Sequence, residues 1–256
     1  MTVIGGLAAL AWLAWHPGVF RQVLAAPTLV TQSRHPLAPG VELRVASVPL
    51  RDWRVIDFEV DLAKAHLEVG TAPGGGFLSE LIPEGAIAAI NGAFFEADFS
   101  PHGWLVDKGV ELHAKRESSP HHLFAVRGTT VFGGRWEALP FEPVLALQNF
   151  PLLVENGAAR IQESDSDPGF PRTFACDSGG GVVHLVVVLP VESSGPSMFE
   201  TAKLAALPKA LGGFGCVSAV NLDGGPSSGY WVSAAAGVEF VEPPVRVGHS
   251  LAVVAN

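Results

Sequence analysis

The chain has 256 residues, of which 48% are hydrophobic and 16% are charged, and its formal net charge is −9. This composition excludes a disordered chain, and the length allows one large domain or two small ones. The acidic balance and the lack of a basic stripe argue against a nucleic-acid partner. They do not exclude a small anionic substrate, because a few local cations can outweigh the net charge at a pocket.

The first 26 residues are expected to be a signal peptide or an N-terminal hydrophobic anchor, which places the protein outside the cytoplasm. Residues 3–15 carry no charge, and residues 24–27 offer a cleavage site. The run is shorter than the roughly 20 apolar residues of a membrane span, although the basic start of a signal peptide is missing. A hydrophobic arm packed on the domain is the alternative. A polar linker, residues 27–39, is expected to follow.

The remainder of the chain is dominated by strand patterns. Residues 56–62 alternate between apolar and acidic side chains, which predicts a half-buried strand. Residues 182–189 are nearly all apolar, as in a central strand. Further apolar runs and Gly-containing turns predict strands at 86–90, 219–222 and 251–254 and hairpins over 105–112 and 152–161.

One helix is predicted from Met198 to about Leu207. Ser197 and Glu200 have the spacing of a capping box, and Pro208 should end the helix. The sequence has no internal repeat and no regular alternation of strands with helices. We therefore predict a single β-rich α+β domain over residues 40–256, with a mixed or antiparallel sheet and a few helices.

No cofactor is expected; a divalent metal stays an open alternative that no residue pattern indicates. The two cysteines, Cys176 and Cys216, lie in apolar stretches and are expected to be buried thiols. A disulfide between them is the alternative, if the compartment is oxidising and their strands are neighbours. The acidic residues of the 163–169 segment resemble part of a calcium loop, but Pro168 interrupts the spacing, so a solvated loop is expected.

Candidate site residues come from stretches in which a strand ends at a tight polar turn. In the most suggestive stretch, Asp223 precedes Gly224 and Gly225, which would let the backbone approach a ligand closely. The hydroxyl groups of Ser227 and Ser228 would then be available to phosphate oxygens. The three stretches are residues 89–95, 171–174 and 220–228.

Two further side chains suit a sugar phosphate. Arg172 would contact a phosphate bidentately, and Asn91 would orient a sugar hydroxyl. Each feature also has an ordinary explanation, because Asp-Gly-Gly and Asn-Gly are common turns and a single Arg is usually solvated. These residues by themselves therefore only suggest a site.

The order of these motifs resembles the phosphodiester glycosidase family. Residues 91–95 resemble its Asn-Gly-Gly-Phe-Phe signature, and Arg172-Thr173 before a strand resembles its Arg-Thr element. Residues 221–228 resemble Asn-Leu-Asp-Gly-Gly-Gly-Ser-Ser. Two departures stand out: Ala93 replaces a glycine, which would make a positive φ costly, and Pro226 replaces another and removes a backbone donor.

The resemblance implies a hydrolase that cleaves the glycosidic bond of a sugar-1-phosphodiester in a glycan or glycoconjugate, such as an N-acetylglucosamine phosphodiester or an exopolysaccharide. Asp223 would act as base or nucleophile, Arg172 would stabilise the leaving phosphate, and Glu96 or Asp98 would supply a second carboxylate. Both of these loop acids are equally well explained as solvated. The substrate-binding residues would be Asn91, Gly92, His102, Thr173, Asn221, Gly224, Gly225, Ser227 and Ser228.

Two alternatives remain open. A non-catalytic extracytoplasmic module that binds carbohydrate would keep the fold, and the two glycine replacements favour it. A serine hydrolase would explain the G-x-S-x-G pattern of residues 225–229, but that pattern requires a following helix and the sequence there predicts a strand. The expected partner is a sugar phosphodiester or glycan, with membrane contact only through the N-terminal segment.

Overall fold

The structure is a computed structural model that describes residues 28–117, 122–165 and 167–256. The expected signal peptide or anchor, residues 1–26, lies outside this part. Among the described residues, no helix is both long and apolar enough to cross a membrane.

The largest sheet has eight strands in the order β1-β2-β3-β14-β13-β15-β11-β12. Every pairing between them is antiparallel, which resolves the expected mixed or antiparallel sheet. The strands are β1 (Val30–Ala38), β2 (Val41–Val48), β3 (Trp53–Asp61), β11 (Leu152–Glu155), β12 (Ala158–Ala159), β13 (Arg172–Asp177), β14 (Val182–Pro190) and β15 (Ser218–Asn221).

Two smaller antiparallel sheets complete the strand layers. A four-stranded sheet has the order β16-β5-β17-β4, and a five-stranded sheet has the order β7-β6-β10-β8-β9. Their strands are β4 (Ala65–Gly76), β5 (Ala86–Asn91), β6 (Leu105–Asp107), β7 (Val110–His113), β8 (His122–Arg127), β9 (Thr130–Arg135), β10 (Leu145–Asn149), β16 (Tyr230–Val232) and β17 (Val247–Ala255).

The central strands of the eight-stranded sheet are buried on both faces. On β3, Ile56 and Phe58 point into the main core, where they meet Leu251 of the four-stranded sheet. The opposite face carries Val55 in a second core, which includes Phe214. This second layer explains why the predicted half-buried strand is more deeply buried than its alternation suggests.

The second core is closed by helix α1 (Met198–Ala205), the α-helix of the described residues. Its predicted capping box is confirmed: Glu200 N donates to Ser197 Oγ over 3.2 Å, and Ser197 N donates to Glu200 Oε2 over 3.0 Å. The helix ends two residues before the predicted Leu207, and its buried side chains pack against the sheet.

The structure confirms the β-rich α+β fold, both hairpins and the predicted strands. Two expectations are wrong. Residues 30–38 of the expected linker form β1, which pairs with β2 along its length. The two cysteines form a disulfide rather than remaining thiols. Cys176 lies on β13, and Cys216 lies just before the neighbouring strand β15, so the two residues are close together.

Candidate functional site

The three motif stretches meet because of strand direction. Since β13 and β15 are antiparallel neighbours, the start of β13 at Arg172 lies beside the end of β15 at Asn221. Strand β5 ends at Asn91 in the four-stranded sheet, on the other side of the main core. Its end reaches the same place, because the turn after β15 crosses from one sheet to the other.

Backbone hydrogen bonds fasten the three stretches to one another. Asp223 N donates to Gly92 O over 3.0 Å, and Leu222 N donates to Thr173 O over 2.8 Å. The side chain of Asn91 adds a third link, since its Nδ2 donates to Asp223 O over 2.7 Å. The three motifs thus lie side by side in the structure.

Asn91 and Thr173 lie at the buried centre of this arrangement. Thr173 Oγ1 donates to Asn91 Oδ1 over 2.8 Å and lies 3.2 Å from Ser228 Oγ. Gly229 N also donates to Asn91 Oδ1. Because both ends of the Asn91 amide are used within the protein, these residues fix the turns, and a direct contact with substrate stays a prediction.

Asp223 is the carboxyl group at the centre of the site. Its Oδ1 accepts a hydrogen bond from Gly224 N over 2.9 Å, and the Ser227 side chain also bonds to it. Burial raises the pKa of Asp223 to about 6, against the smaller lowering effect of these two hydrogen bonds. Among the described residues, no cation contributes to this shift. The carboxyl group therefore exchanges protons near neutral pH.

Glycine suits the turn after Asp223, through a positive φ at Gly225 and close packing at Gly224. A Cβ on Gly224 would lie 3.2 Å from Pro171 O, and Gly225 has a φ of 60°. Pro226 occupies an early position of the 3-10 turn Gly225–Ser227, where a proline is tolerated because its missing N–H is not needed. This replacement is compatible with the turn.

The second departure from the family pattern also causes no strain. Ala93 is absent from the described non-glycine residues with positive φ, so the expected backbone cost does not arise. Its side chain is buried in the main core, where a methyl group packs well.

Arg172 borders the turn but is already engaged. Its Nε donates to Pro196 O over 3.1 Å, and its Nη2 forms an ion pair with Asp167 at 2.5 Å. Nη1 points nearer the site, because it would lie 3.8 Å from a Cβ on Gly224. Bidentate contact with a phosphate through Nε and Nη2 would need these protein contacts to be replaced, so a single contact through Nη1 fits the observed conformation better.

Asn221 helps to hold the neighbouring loop. Its Nδ2 donates to Phe150 O over 3.0 Å and to Leu222 O over 2.7 Å. Its Oδ1 is buried and has no hydrogen-bond partner among the described residues. Like Asn91, it is a buried structural side chain, and its predicted contact with substrate is untested.

Glu96 and His102 lie together in the loop after the first motif. Glu96 Oε1 lies 2.7 Å from both Arg116 Nη1 and His102 Nδ1. The hydrogen bond from Arg116, with help from His102, lowers the pKa of Glu96 despite some desolvation. Since Nδ1 also lies 3.0 Å from Arg116 Nη1, we assign both nitrogens as donors to the shared carboxylate oxygen.

Asp98 stays apart from this cluster, because its Oδ1 accepts hydrogen bonds from Ser100 N and Oγ. Of the two loop acids, only Glu96 therefore contacts His102 and Arg116 among the described hydrogen bonds. Within the described residues, no three His, Cys, Asp or Glu side chains group together as metal ligands.

Two further residues contribute to the site without a sequence signal that predicts them. Asp167 was expected in a solvated loop, yet it pairs with Arg172 and also accepts a hydrogen bond from Met198 N at the start of α1. His249, on β17, is buried and accepts a hydrogen bond from Ala93 N over 3.0 Å. No local pattern marks either residue, because the contact of Asp167 with Met198 and that of His249 with Ala93 join distant parts of the chain.

The comparisons with known proteins agree with this geometry. A sequence model of the phosphodiester glycosidase family matches residues 84–254, which contain all three motifs. A comparison with curated proteins finds no match to this chain.

Solved structures share the fold at low sequence identity. The catalytic domain of zebrafish N-acetylglucosamine-1-phosphodiester alpha-N-acetylglucosaminidase, auto-inhibited by its pro-peptide, is 17% identical, with a TM-score of 0.62 over 91% of this chain and 85% of that one. A hypothetical protein from Synechocystis is 14% identical, with a TM-score of 0.61 over 91% of this chain and 64% of that one. A Burkholderia pseudomallei protein described as exported is 18% identical, with a TM-score of 0.52 over 79% and 74%. At these identities the likeness shows the fold alone.

Proposed function

We propose that this chain, which belongs to the phosphodiester glycosidase family, is a hydrolase that cleaves the glycosidic bond of a sugar-1-phosphodiester and releases the sugar. The observation that carries the proposal is the environment of Asp223, a partly buried carboxyl group with a pKa of about 6 where the three motifs meet. A pKa near neutral pH suits a group that takes up and releases protons during catalysis.

In the proposed reaction, water attacks the anomeric carbon while the bond from that carbon to the phosphate oxygen breaks. Asp223 takes the proton of the attacking water, and the bonding electrons leave with the phosphate. A phosphate oxygen is already a weak base, so stabilising its developing charge matters more than protonating it. We assign that task to Arg172 Nη1 and to the hydroxyl groups of Ser227 and Ser228.

Asp223 has a second chemical option. It would act as a nucleophile if its oxygen attacked the anomeric carbon and formed a glycosyl intermediate. The raised pKa favours the proton-transfer role, because an effective base titrates near the working pH. Glu96 would then contribute negative charge rather than a proton, since its lowered pKa keeps it ionised.

We propose an extracytoplasmic location and a phosphodiester-linked glycan or glycoconjugate as the partner. The disulfide between Cys176 and Cys216 supports an oxidising compartment. The charge-free run of residues 3–15 supports export, as does the description of the related Burkholderia protein as exported. The name of the zebrafish relative suggests N-acetylglucosamine as the first sugar to test.

A non-catalytic binding module is the second candidate. It is favoured by the ion pair between Arg172 and Asp167, because a compensated cation has less charge to offer a leaving phosphate. A serine hydrolase is not favoured, since the G-x-S-x-G segment leads into strand β16 rather than a helix.

The test is phosphodiester cleavage by the full chain with UDP-N-acetylglucosamine and a methyl-phospho-N-acetylglucosamine. Wild type should release free sugar, and Asp223→Asn should lower kcat by about 10²–10⁴-fold, the usual range for a lost general base. The matched control is Asp98→Asn, an exposed aspartate bonded only to its own turn, which should keep full activity.

Each outcome separates the candidates. Binding of both compounds without turnover would favour the binding module. Turnover that is equal in Asp223→Asn and wild type would remove Asp223 from the mechanism while leaving the reaction class intact.

A further inference from the structure

His249 is a buried titratable residue that the proposed mechanism does not use. It lies on β17 against the first motif, and two hydrogen bonds join it to that motif. Ala93 N donates to His249 Nε2 over 3.0 Å, and Gly92 N donates to His249 O over 2.9 Å. One residue thus holds two successive amides of the turn that carries Asn91.

The hydrogen bond to Ala93 fixes the protonation of the imidazole ring. Because Nε2 accepts from a backbone N–H, we assign the proton of the neutral ring to Nδ1, which is buried and has no hydrogen-bond partner among the described residues. Burial lowers the pKa of His249 to about 4, and no charged group contributes to that shift. The ring therefore stays a neutral acceptor throughout the ordinary pH range.

The contact between ring and turn is close. A Cβ added to Gly92 would overlap His249 Cδ2 and would lie 2.8 Å from Nε2. Only a residue without a side chain allows the strand and the turn to approach in this way. The glycine of the first motif therefore serves, in this chain, to admit the imidazole ring.

The turn held by His249 is the one that supports Asp223. Gly92 O accepts the hydrogen bond from Asp223 N, and Asn91 Nδ2 donates to Asp223 O. His249 is thus connected to Asp223 by two hydrogen bonds through the turn. Ala93 N bonds to the His249 ring, and the adjacent Gly92 O bonds to Asp223 N. A shift of the turn would move the backbone of Asp223 with it.

We propose that His249 is a positioning residue that holds the Asn91–Ala93 turn where it fixes the orientation and solvent exposure of Asp223. The proposal rests on the proposed function, since it assigns His249 to the site in which Asp223 acts. Its effect on Asp223 is nevertheless measurable without turnover.

The informative variants are His249→Leu and His249→Gln. Leucine fills the space but leaves Ala93 N without an acceptor, whereas a glutamine oxygen can take the place of Nε2. We expect His249→Leu to lower kcat roughly 10- to 100-fold with little change in KM, as displaced catalytic groups do. His249→Gln should recover most of that loss.

The matched control is His184→Gln, a buried histidine in the second core whose Nδ1 bonds to Asp57. It should reduce stability without changing kcat per folded molecule or the pH midpoint of activity. Thermal melting of each variant measures the folded fraction, so that loss of fold and loss of positioning are separated.

A second readout is ¹³C NMR titration of the Asp223 carboxyl carbon in wild type, His249→Gln and His249→Leu. We expect a pKa near the wild-type value in His249→Gln and a value closer to that of an ordinary aspartate in His249→Leu, because a displaced turn admits water. An unchanged titration in a folded His249→Leu would overturn the proposal. If His249→Leu does not fold, the test is His249→Gln. A pKa of Asp223 that differs from the wild-type value in this folded variant would contradict the expected rescue.

The two readouts also separate this proposal from the proposed function. Absence of sugar release by wild type would contradict the hydrolase, while the NMR titration would still decide whether His249 controls Asp223. Normal turnover in folded His249→Leu would overturn the positioning role alone.

Discussion

Two aspartates in this protein, the fully buried Asp57 and the partly buried Asp223, have opposite surroundings. Asp57, on the second-core face of β3, accepts hydrogen bonds from Arg44 Nε at 2.9 Å and from His184 Nδ1 at 2.9 Å. Desolvation acts to raise its pKa, but His184 and Arg44 together outweigh it, and the pKa of Asp57 lies below the usual value. Asp223 has only hydroxyl and amide partners, so desolvation dominates and raises its pKa to about 6.

This contrast separates a structural carboxylate from a reactive one. A buried carboxylate with two basic partners stays ionised and holds strands together. A carboxyl group without a neighbouring cation gains and loses its proton near neutral pH. Phe214 covers the structural cluster, with its ring 4.9 Å from the Arg44 guanidinium carbon and 5.6 Å from the His184 ring. The Asp223 site has no comparable cover among its described contacts.

The pH dependence of stability should have opposite signs at the two positions. The lowered pKa of Asp57 contributes stability above its unfolded value, and this is lost as pH falls through the folded pKa. The raised pKa of Asp223 contributes stability below its unfolded value near 3.8, and this is lost as pH rises through about 6.

The largest expected effect comes from breaking the structural cluster. Asp57→Asn removes the charge that compensates Arg44, which is buried and also donates to Gly212 O over 2.7 Å. We expect a loss of about 3–5 kcal/mol in the free energy of unfolding, as for other buried pairs that lose one partner. Urea denaturation at pH 7 measures it. Activity per folded molecule should be unchanged.

The control is Asp61→Asn, on the same strand but paired with the exposed Lys64. Its effect on unfolding should be close to zero, because exposed ion pairs contribute little. A loss below about 1 kcal/mol in Asp57→Asn would mean that the cluster of Asp57, Arg44 and His184 does not stabilise the fold. Asp57 would then not be the structural carboxylate that the comparison with Asp223 assumes.

The disulfide should stabilise the segment with Phe214, which covers the Asp57 cluster, and leave the Asp223 site unaffected. Cys216 follows Phe214 closely, and its bond to Cys176 closes a loop with a sequence separation of 40. The double variant Cys176→Ala, Cys216→Ala should lose about 2–4 kcal/mol in the free energy of unfolding. The pKa of Asp223, followed by ¹³C NMR, should not change. A shifted pKa would show that the two regions are coupled.

Asp223→Asn should have the opposite effect on stability. At pH 7 wild type pays for burying an ionised carboxylate, and the amide removes that charge while keeping an acceptor for Gly224 N. The raised pKa corresponds to an expected gain of about 1–3 kcal/mol in the free energy of unfolding. Denaturation from pH 4 to pH 8 should show the gain growing with pH through 6. A variant less stable than wild type at pH 7 would contradict the raised pKa.

The fold could be read from the sequence largely because its signals are local. Alternating and apolar runs marked the strands, and the pair Ser197 and Glu200 marked the helix start. The expected linker became β1 because its pairing partner, β2, decides its conformation more than its own polar composition does.

The site was only partly predictable, because some of its residues have local sequence signals and others depend on contacts formed only in the folded chain. Asp223 and Arg172 belong to motifs that recur in one order, so a resemblance could single them out. His249 resembles an ordinary core histidine until the turn at Ala93 is folded against it. The pairing of Asp167 with Arg172 depends on a loop path that no periodicity describes.

The smallest expected effect comes from removing the negative charge of Asp167, which pairs with Arg172. Asp167→Asn removes the carboxylate that pairs with Arg172 and keeps an acceptor for Met198 N at the start of α1. The released positive charge should favour a phosphodiester by about 1 kcal/mol, or roughly fivefold in KM, as expected for a partly exposed charge pair. The measurement is KM for UDP-N-acetylglucosamine at low and high salt.

The effect should shrink only modestly at high salt, because Arg172 is buried and salt screens a buried charge less than an exposed one. The control is Glu163→Gln, which removes an acidic side chain from the same loop, outside the ion pair with Arg172, and should leave KM unchanged. A rise in KM for Asp167→Asn would mean that Asp167 orients Arg172 rather than neutralising it. The ion pair would then belong to the working site, and the uncompensated Asp223 would act beside a cation that the protein itself holds in place.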